Sequence, residues 1–348
     1  MQRHVDSEEM QSMKIESDAI YYALIIVFVG ATLFLVSPYL FKAPNPTNVI
    51  TTPDQLVPVH LVVLSSSKCK VLCETSTVES NIANNVAYLN VTRLDVETPQ
   101  GRRFAINHNL TLVPAYVFSS TLSQRPEFSN SIINFSQYVR KVNDSYVLGT
   151  LETQSGYMFN NVPSLSSDWK LFVTSYNPAS LRFQNASLNV LRKFNESINF
   201  SLHFVVSNVN GSLSSIVGPV ELIEDSIQLC ALQSGSKNAL NAINCRSEAI
   251  LGCYNSSQEV SFCAQFWKPC MQGWGLNDST ITSCVQSQNQ TLLANEAQVA
   301  IDNRIIGVPT TIIGNQYKLF GGRSESDLLS AICGVYPSLA GCTISVRQ

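Results

Sequence analysis

All ten cysteines of this 348-residue chain lie between Cys69 and Cys342. Disulfides persist in oxidising compartments and limit which elements can lie side by side, so this placement constrains the fold more than any other feature. Eight of the ten fall late in the chain, at Cys230, Cys245, Cys253, Cys263, Cys270, Cys284, Cys333 and Cys342, and no neighbouring two are closer than seven positions. Zinc sites favour pairs two to four residues apart, often with histidine. The stretch holding the first six contains no histidine. No metal and no cofactor is expected, and the eight are read as four structural disulfides. Their pairing is open among on the order of 100 connectivities. Cys333 and Cys342 bracket the end of the last expected helix and are expected to pair with each other.

Residues 19–41, AIYYALIIVFVGATLFLVSPYLF, form a stretch with no charge between Asp18 and Lys42. As a helix it reaches about 35 Å, enough for a hydrocarbon core of about 30 Å. Tyr21, Tyr22 and Tyr39 stand near its ends, where aromatic rings favour the interface. A removed secretory leader has a shorter apolar region behind a basic segment. Here the preceding tail carries Asp6, Glu8, Glu9, Glu16 and Asp18. The expectation is a retained single-pass anchor, with a cytosolic tail at 1–18 and a Pro- and Asn-rich tether at 42–56.

Arg3 and Lys14 on one side of the anchor and Lys42 on the other do not set its orientation. Asn-x-Ser/Thr sequons occur at Asn90, Asn109, Asn134, Asn143, Asn185, Asn195, Asn199, Asn210, Asn255, Asn277 and Asn289. Chance would supply about five from the asparagines present, although an Asn- and Ser-rich surface makes some by accident. Together with the cysteines, the sequons place a glycosylated C-terminal body outside the cytosol, at the cell membrane. Charged residues are only 14% and hydrophobic residues 45%, which supports a folded core and excludes global disorder. A net charge of −3 excludes a nucleic-acid partner, which requires a basic surface.

The length allows two domains, and the apolar pattern divides the remainder accordingly: a first body at 57–146, a linker at 147–167 and a second body at 168–342. Each opens on a buried-strand run, Val57–Leu64 in the first and Trp169–Thr174 in the second. A helix and another strand follow, Thr92–Val96 or Phe200–Val206. Next comes a strand opened by proline, Val113-Pro114-Ala115-Tyr116-Val117-Phe118 or Gly307-Val308-Pro309-Thr310-Thr311-Ile312-Ile313. Proline is tolerated at a strand start, where no ladder N–H is needed. Gly314-Asn315 predicts a tight hairpin, and Ser324-Glu325-Ser326-Asp327 a capping box for a helix over Ser324–Ile332. Segment 218–298 reads as a cysteine-rich helical insertion. The pattern predicts a mixed α/β fold.

These residues resemble the thioredoxin superfamily twice over. In the first body the resemblance rests on the strand, on Cys69-Lys70-Val71-Leu72-Cys73 at a helix start, and on Val113-Pro114 in the place of a cis-proline. The second is similar to DsbA-like proteins and to thiol reductases of the gamma-interferon-inducible lysosomal type. It carries KLFVTSYNPASL, FSLHFVVS, VELIEDSIQLCAL, GWGLNDSTITSCV and GVPTTIIGNQYKLFGGR in the family's order, with Val308-Pro309 as a second cis-proline. Where the family has its two cysteines, this chain has Asn177 and Ser180 around Pro178, so the resemblance implies a degenerate second site that forms neither thiolate nor disulfide.

The resemblance implies catalysis by Cys69 and Cys73, with Val113 and Pro114 presenting backbone groups to a bound cysteine-containing chain. Exchange needs a thiolate, which a helix N-terminus and flanking cations stabilise. Lys68 and Lys70 flank Cys69, making Cys69 the expected nucleophile and Cys73 the resolving thiol. Three intervening residues replace the family's two. The expected activity is thiol–disulfide exchange on secreted or surface polypeptides, cysteine-containing or unfolded, with a recycling redox partner in the membrane. A redox-inactive binding or scaffold module, with Cys69–Cys73 as a structural bridge, is the alternative. A third reading, copper delivery of the Sco type, would need an imidazole from His60 or His108, and neither stands in a matching motif.

Overall fold

The structure, a computed structural model, describes residues 57–70, 73–125, 128, 139–148, 155–195, 197–256 and 259–343. The tail, anchor and tether expected at 1–56 lie outside the described residues, as does Asn134. Among the described residues no helix is long and apolar enough to cross a membrane.

Strand β1 (Val59–Ser65) alternates its side chains between two cores, as the period of two dictates. Val59, Leu61 and Val63 pack with Ile82 and Val86 of the α1 region on one face. Leu64 enters a second cluster on the other. Helix α1 (Ser76–Asn85) carries the chain to β2 (Leu89–Asp95), which pairs parallel to β1 from Val59↔Leu89 to Ser65↔Asp95. Helix α2 (Pro99–Asn107) follows, with proline in its first turn and Thr98 accepting a hydrogen bond from the Gly101 N–H. Gly101 is required there, because a Cβ would stand 2.0 Å from the Asp95 carbonyl oxygen. Strand β3 (Ala115–Ser119) runs antiparallel to β1, and the hairpin of β4 (Val139–Val142) and β5 (Ser145–Leu148) completes a sheet of order β2-β1-β3-β5-β4.

A second sheet repeats this core. After the two-residue strand β6 (Gly156–Tyr157) comes β7 (Asp168–Val173), then helix α3 (Pro178–Leu191), then β8 (Asn199–Phe204) parallel to β7. A short hairpin, β9 (Ser207–Val209) and β10 (Ser212–Ser214), precedes the helical insertion. The insertion comprises α4 (Pro219–Gln233), α5 (Ala239–Asn255), α6 (Val260–Cys263), α7 (Lys268–Gly273) and the long α8 (Asp278–Asp302). Strands β11 (Thr310–Ile313) and β12 (Tyr317–Phe320) close the sheet as β6-β12-β11-β7-β8. Ile313 pairs with Tyr317, so the loop between them is Gly314, Asn315 and Gln316, and its first two residues take left-handed φ of 64° and 58°, which glycine and asparagine adopt readily. Helices α9 (Glu325–Val335) and α10 (Ala340–Thr343) follow, the first capped by Ser324, whose Oγ accepts from the Asp327 N–H. The orders β2-β1-β3-β5 and β8-β7-β11-β12 correspond strand for strand in position and direction, in a mixed α/β arrangement.

The segment read as a linker is partly built into this architecture, since β6 is an edge strand of the second sheet. Leu64, Val96, Val117 and Val147 of the first sheet share one apolar cluster with Tyr157, Trp169, Leu171 and Leu319 around the second. Cys230–Cys284 joins α4 to α8, Cys245–Cys270 joins α5 to α7, and Cys253–Cys263 joins α5 to α6. Cys333–Cys342 ties α9 to α10. Bridges of this kind stabilise by restricting the unfolded chain, typically by about 2–4 kcal/mol each. Arg246 of α5 forms a two-pronged pair with Glu224 of α4, at 2.9 and 2.7 Å, and also donates to the Cys263 carbonyl.

Lys318 on β12 is 4% exposed, its ammonium donating to the Arg304 carbonyl at 2.7 Å. Burial holds this group down at about 8 against 10.5 in an open chain. Between those values the unfolded chain binds more protons, so this residue's contribution to stability rises with pH through the window and is lost as pH falls through it. Chemical denaturation at pH 7.5 and pH 10 is expected to show wild type gaining about 2–3 kcal/mol relative to Lys318→Met.

Candidate functional site

The chain leaves β1 at its C-terminal end and turns at once. The Ser66 carbonyl accepts from the Cys69 N–H at 3.2 Å, and Ser66 Oγ accepts from the Lys68 N–H while donating to Glu97. Cys69 and Cys73 are bridged, with Cα atoms 6.0 Å apart, and both are half-buried. Cys73 Sγ lies 3.8 Å from the carbonyl oxygen of Val113. The structure therefore brings together Cys69, Cys73, Val113 and Pro114. The Val113–Pro114 and Val308–Pro309 peptides are both cis.

The activation expected for Cys69 is arranged differently. Helix α1 begins at Ser76, past Thr75 as N-cap, so both cysteines precede it and Cys69 stands seven positions upstream. The field of a helix terminus fades within about one turn. The terminus is also occupied: Glu74 accepts from the Ser76 N–H at 2.6 Å, and its hydrogen bonds with Ser76 hold its carboxyl below the usual range. Lys68 is engaged as well, its ammonium 2.7 Å from Glu97, whose carboxylate also faces Arg102 at 3.6 Å. The Lys68 hydrogen bond holds Glu97 below its ordinary value, and Lys68 is raised in return. Sequence reasoning missed Glu97, which is 28 positions from Cys69 and is placed here by the parallel pairing of β1 and β2. Lys70 is exposed, as Lys68 is, and its backbone N–H donates to Tyr317 Oη at 3.1 Å.

The backbone of Val113, assigned by resemblance to a bound chain, is already hydrogen-bonded within the protein. Its N–H donates to the Tyr157 carbonyl at 3.0 Å and its carbonyl accepts from the Tyr157 N–H at 2.7 Å. Val113 itself is fully buried. Between the cysteine loop and the second sheet lies a cleft of about 320 Å³, lined by Lys68, Lys70, Tyr157, Gln316, Tyr317 and Tyr336. Burial pushes the phenols of Tyr157 and Tyr336 up, which keeps both protonated at neutral pH.

At the corresponding place in the second sheet, Asn177 caps α3, accepting from the N–H groups of Ala179 and Ser180 at 2.9 and 3.1 Å. Pro178 opens the helix and Ser180 is fully buried. Beneath them α4 contributes three buried carboxyl groups that sequence reasoning did not single out. Glu221 accepts from the Tyr176 N–H, Glu224 pairs with Arg246, and Asp225 accepts from Ser175 Oγ. Their spacing at 221, 224 and 225 on an otherwise apolar helix was the available signal, since it places acids on a core-facing stripe.

The other sequence-derived candidates distribute over the body. Asn90, Asn109, Asn143, Asn195, Asn199, Asn210, Asn255 and Asn277 are exposed, whereas Asn185 and Asn289 are half-buried on helices. His108 Nδ1 is 2.8 Å from the Phe104 carbonyl and its Nε2 3.3 Å from Ser145 Oγ, while His60 is exposed on β1. Among the described residues no group of three or more His, Cys, Asp or Glu side chains is arranged to hold a metal ion.

Burial raises the Asp225 carboxyl well above 3.8, so the folded chain keeps a proton that the unfolded chain releases. The stability tied to that proton is complete below about pH 4 and declines as pH rises through the folded value. Thermal unfolding from pH 4 to pH 8 is expected to show Asp225→Asn gaining on wild type as pH increases. A constant difference would mean that Asp225 is ionised in the fold.

No family model matches the sequence, and no curated protein matches it. Among solved structures the chain is similar to DsbA of Pseudomonas aeruginosa, at 13% identity and a TM-score of 0.38, over 53% of this chain and 92% of that one. The figures are the same for reduced DsbA1 of Neisseria meningitidis. For the oxidoreductase DsbA of Xylella fastidiosa they are 13% and 0.38, over 53% of this chain and 94% of that one.

Proposed function

We propose that this chain is a membrane-anchored thiol–disulfide oxidoreductase acting outside the cytosol, with Cys69–Cys73 as its exchangeable bridge. One observation carries the reading. In each of the four other bridges at least one cysteine is buried and the bond joins packed helices: Cys230, Cys263, Cys270 and Cys342 are 3%, 3%, 6% and 4% exposed. Cys69 and Cys73 are both half-buried, lie on a loop, and are flanked by a cleft. An incoming thiolate meets this bridge before the others.

In the reading, residues 57–146 and 168–342 are tandem thioredoxin-like domains joined by 147–167, and the second is degenerate at Asn177, Pro178 and Ser180. Residues 19–41 hold the body at the membrane, where a redox partner recycles the pair, and the exposed sequon asparagines carry glycans. Reduced Cys69 attacks a substrate disulfide, one substrate sulfur leaves as a thiolate, and Cys73 displaces the other from the mixed disulfide, re-forming the bridge. With Lys68 paired to Glu97 and the helix terminus donating to Glu74, neither is committed to a Cys69 thiolate, and a less stabilised reduced form argues for a reducing couple over a strongly oxidising one. The substrates are cysteine-containing or unfolded polypeptides.

A second reading, a scaffold without catalysis, is favoured by the hydrogen bonds that close the Val113 backbone. Insulin reduction by the full-length protein in detergent separates the two, together with mass-spectrometric mapping of thiols after glutathione treatment. The oxidoreductase reading expects Cys69–Cys73 to open while the other four bridges survive, and Cys69→Ser to lose activity by at least about tenfold. Equal turnover by both proteins, or a Cys69–Cys73 bridge as resistant as the rest, would establish the scaffold.

A further inference from the structure

We propose that Gly156–Tyr157 is an internal latch on the Val113 backbone and that the redox state of Cys69–Cys73 decides whether it stays closed. The inference rests on the reading above in one respect, that this bridge is exchangeable.

Tyr157 is held from both sides. Its backbone exchanges two hydrogen bonds with Val113, at 2.7 and 3.0 Å, and pairs across its other edge with Tyr317. The approach is close enough to require glycine next to it, since a Cβ at Gly156 would stand 2.5 Å from the Val113 carbonyl oxygen. The same oxygen lies 3.8 Å from Cys73 Sγ. Tyr317 in turn accepts the Lys70 N–H at 3.1 Å, from between the two cysteines. One carbonyl and one phenol thus couple the cysteine loop to β6. A two-residue strand is among the elements that open at low free-energy cost, so a change in either contact moves it.

The bridged sulfur of Cys73 has no proton to donate. When a dithiol reduces the pair, two electrons and two protons pass to Cys69 and Cys73 and the reductant becomes a disulfide. Cys73 then presents either an S–H, which competes with the Tyr157 N–H for the Val113 oxygen, or a thiolate, which repels that oxygen. Reduction also removes the covalent cross-link that closes the loop carrying the Lys70 N–H. Both effects loosen β6 and free the Val113 backbone. The oxidised protein is closed against extended polypeptides at this edge, and the reduced protein is open to them.

Hydrogen exchange of the full-length protein in detergent tests this, comparing the oxidised form with one treated with limiting dithiothreitol, the bridges assigned by mass spectrometry. Selective reduction is expected to speed exchange at the Tyr157 and Val113 amides by about tenfold or more, with the amides of α8 unchanged. Gly156→Ala is expected to give fast exchange in both redox states, and Tyr317→Phe to do so where that variant does not fold. If the bridge opens and both amides stay protected, the latch is wrong and the oxidoreductase reading stands. If the bridge resists selective reduction, that reading fails, and Cys69→Ser/Cys73→Ser decides the latch: fast exchange at Tyr157 supports it and wild-type protection overturns it.

Discussion

The pairing of Tyr157 with Val113 on one side and with Tyr317 on the other is the contact on which the relation between the two sheets depends. Backbone hydrogen bonds within a protein demand partners, and a buried residue such as Val113 cannot leave its N–H and carbonyl to water. The chain meets that demand from the segment that connects its two halves. An isolated bridge thus joins the residue two positions before β3 to β6 of the second sheet, and apolar side chains around both sheets share one cluster. A connecting segment that looks expendable by composition is the piece that fills the edge beside the cysteines.

Electrostatics around the cysteine pair follow the same principle of prior engagement. A lysine beside a cysteine lowers its pKa only while its charge is uncompensated. Glu97 compensates Lys68 at 2.7 Å and is itself shared with Arg102. The N-terminus of α1 has a carboxylate of its own in Glu74. Each group retains its chemistry, but the partners are chosen by the parallel register of β1 and β2 and by where the helix starts.

The second sheet shares the strand arrangement of the first and carries different side chains where its helix begins. Asn177 supplies to α3 the capping acceptor that the helix start requires. The polar groups below it, Asp225 with Ser175, Glu221 with Tyr176 and Glu224 with Arg246, form a hydrogen-bonded layer between α3 and the insertion. Buried charge is costly unless paired; the Arg246–Glu224 pair meets that requirement, and burial raises the Asp225 carboxyl, which favours its neutral form.

Much of this architecture was legible in the sequence because it is written in local terms. Period-two and helical apolar patterns marked the strands and helices. Proline marked the starts of β3 and β11, Gly314-Asn315 the hairpin, Ser324 the cap, and the cysteine placement the crosslinked insertion. That Asn177 and Ser180 form neither thiolate nor disulfide was equally plain, since it depends on residue type alone. What only the tertiary structure decided are the encounters between residues distant in the chain: Glu97 with Lys68, Tyr317 with Lys70, and Tyr157 with Val113. Local propensity is set by neighbours within a turn or a strand, whereas these partners are selected by strand register and sheet packing. The surroundings of the Cys69–Cys73 bridge are set by them.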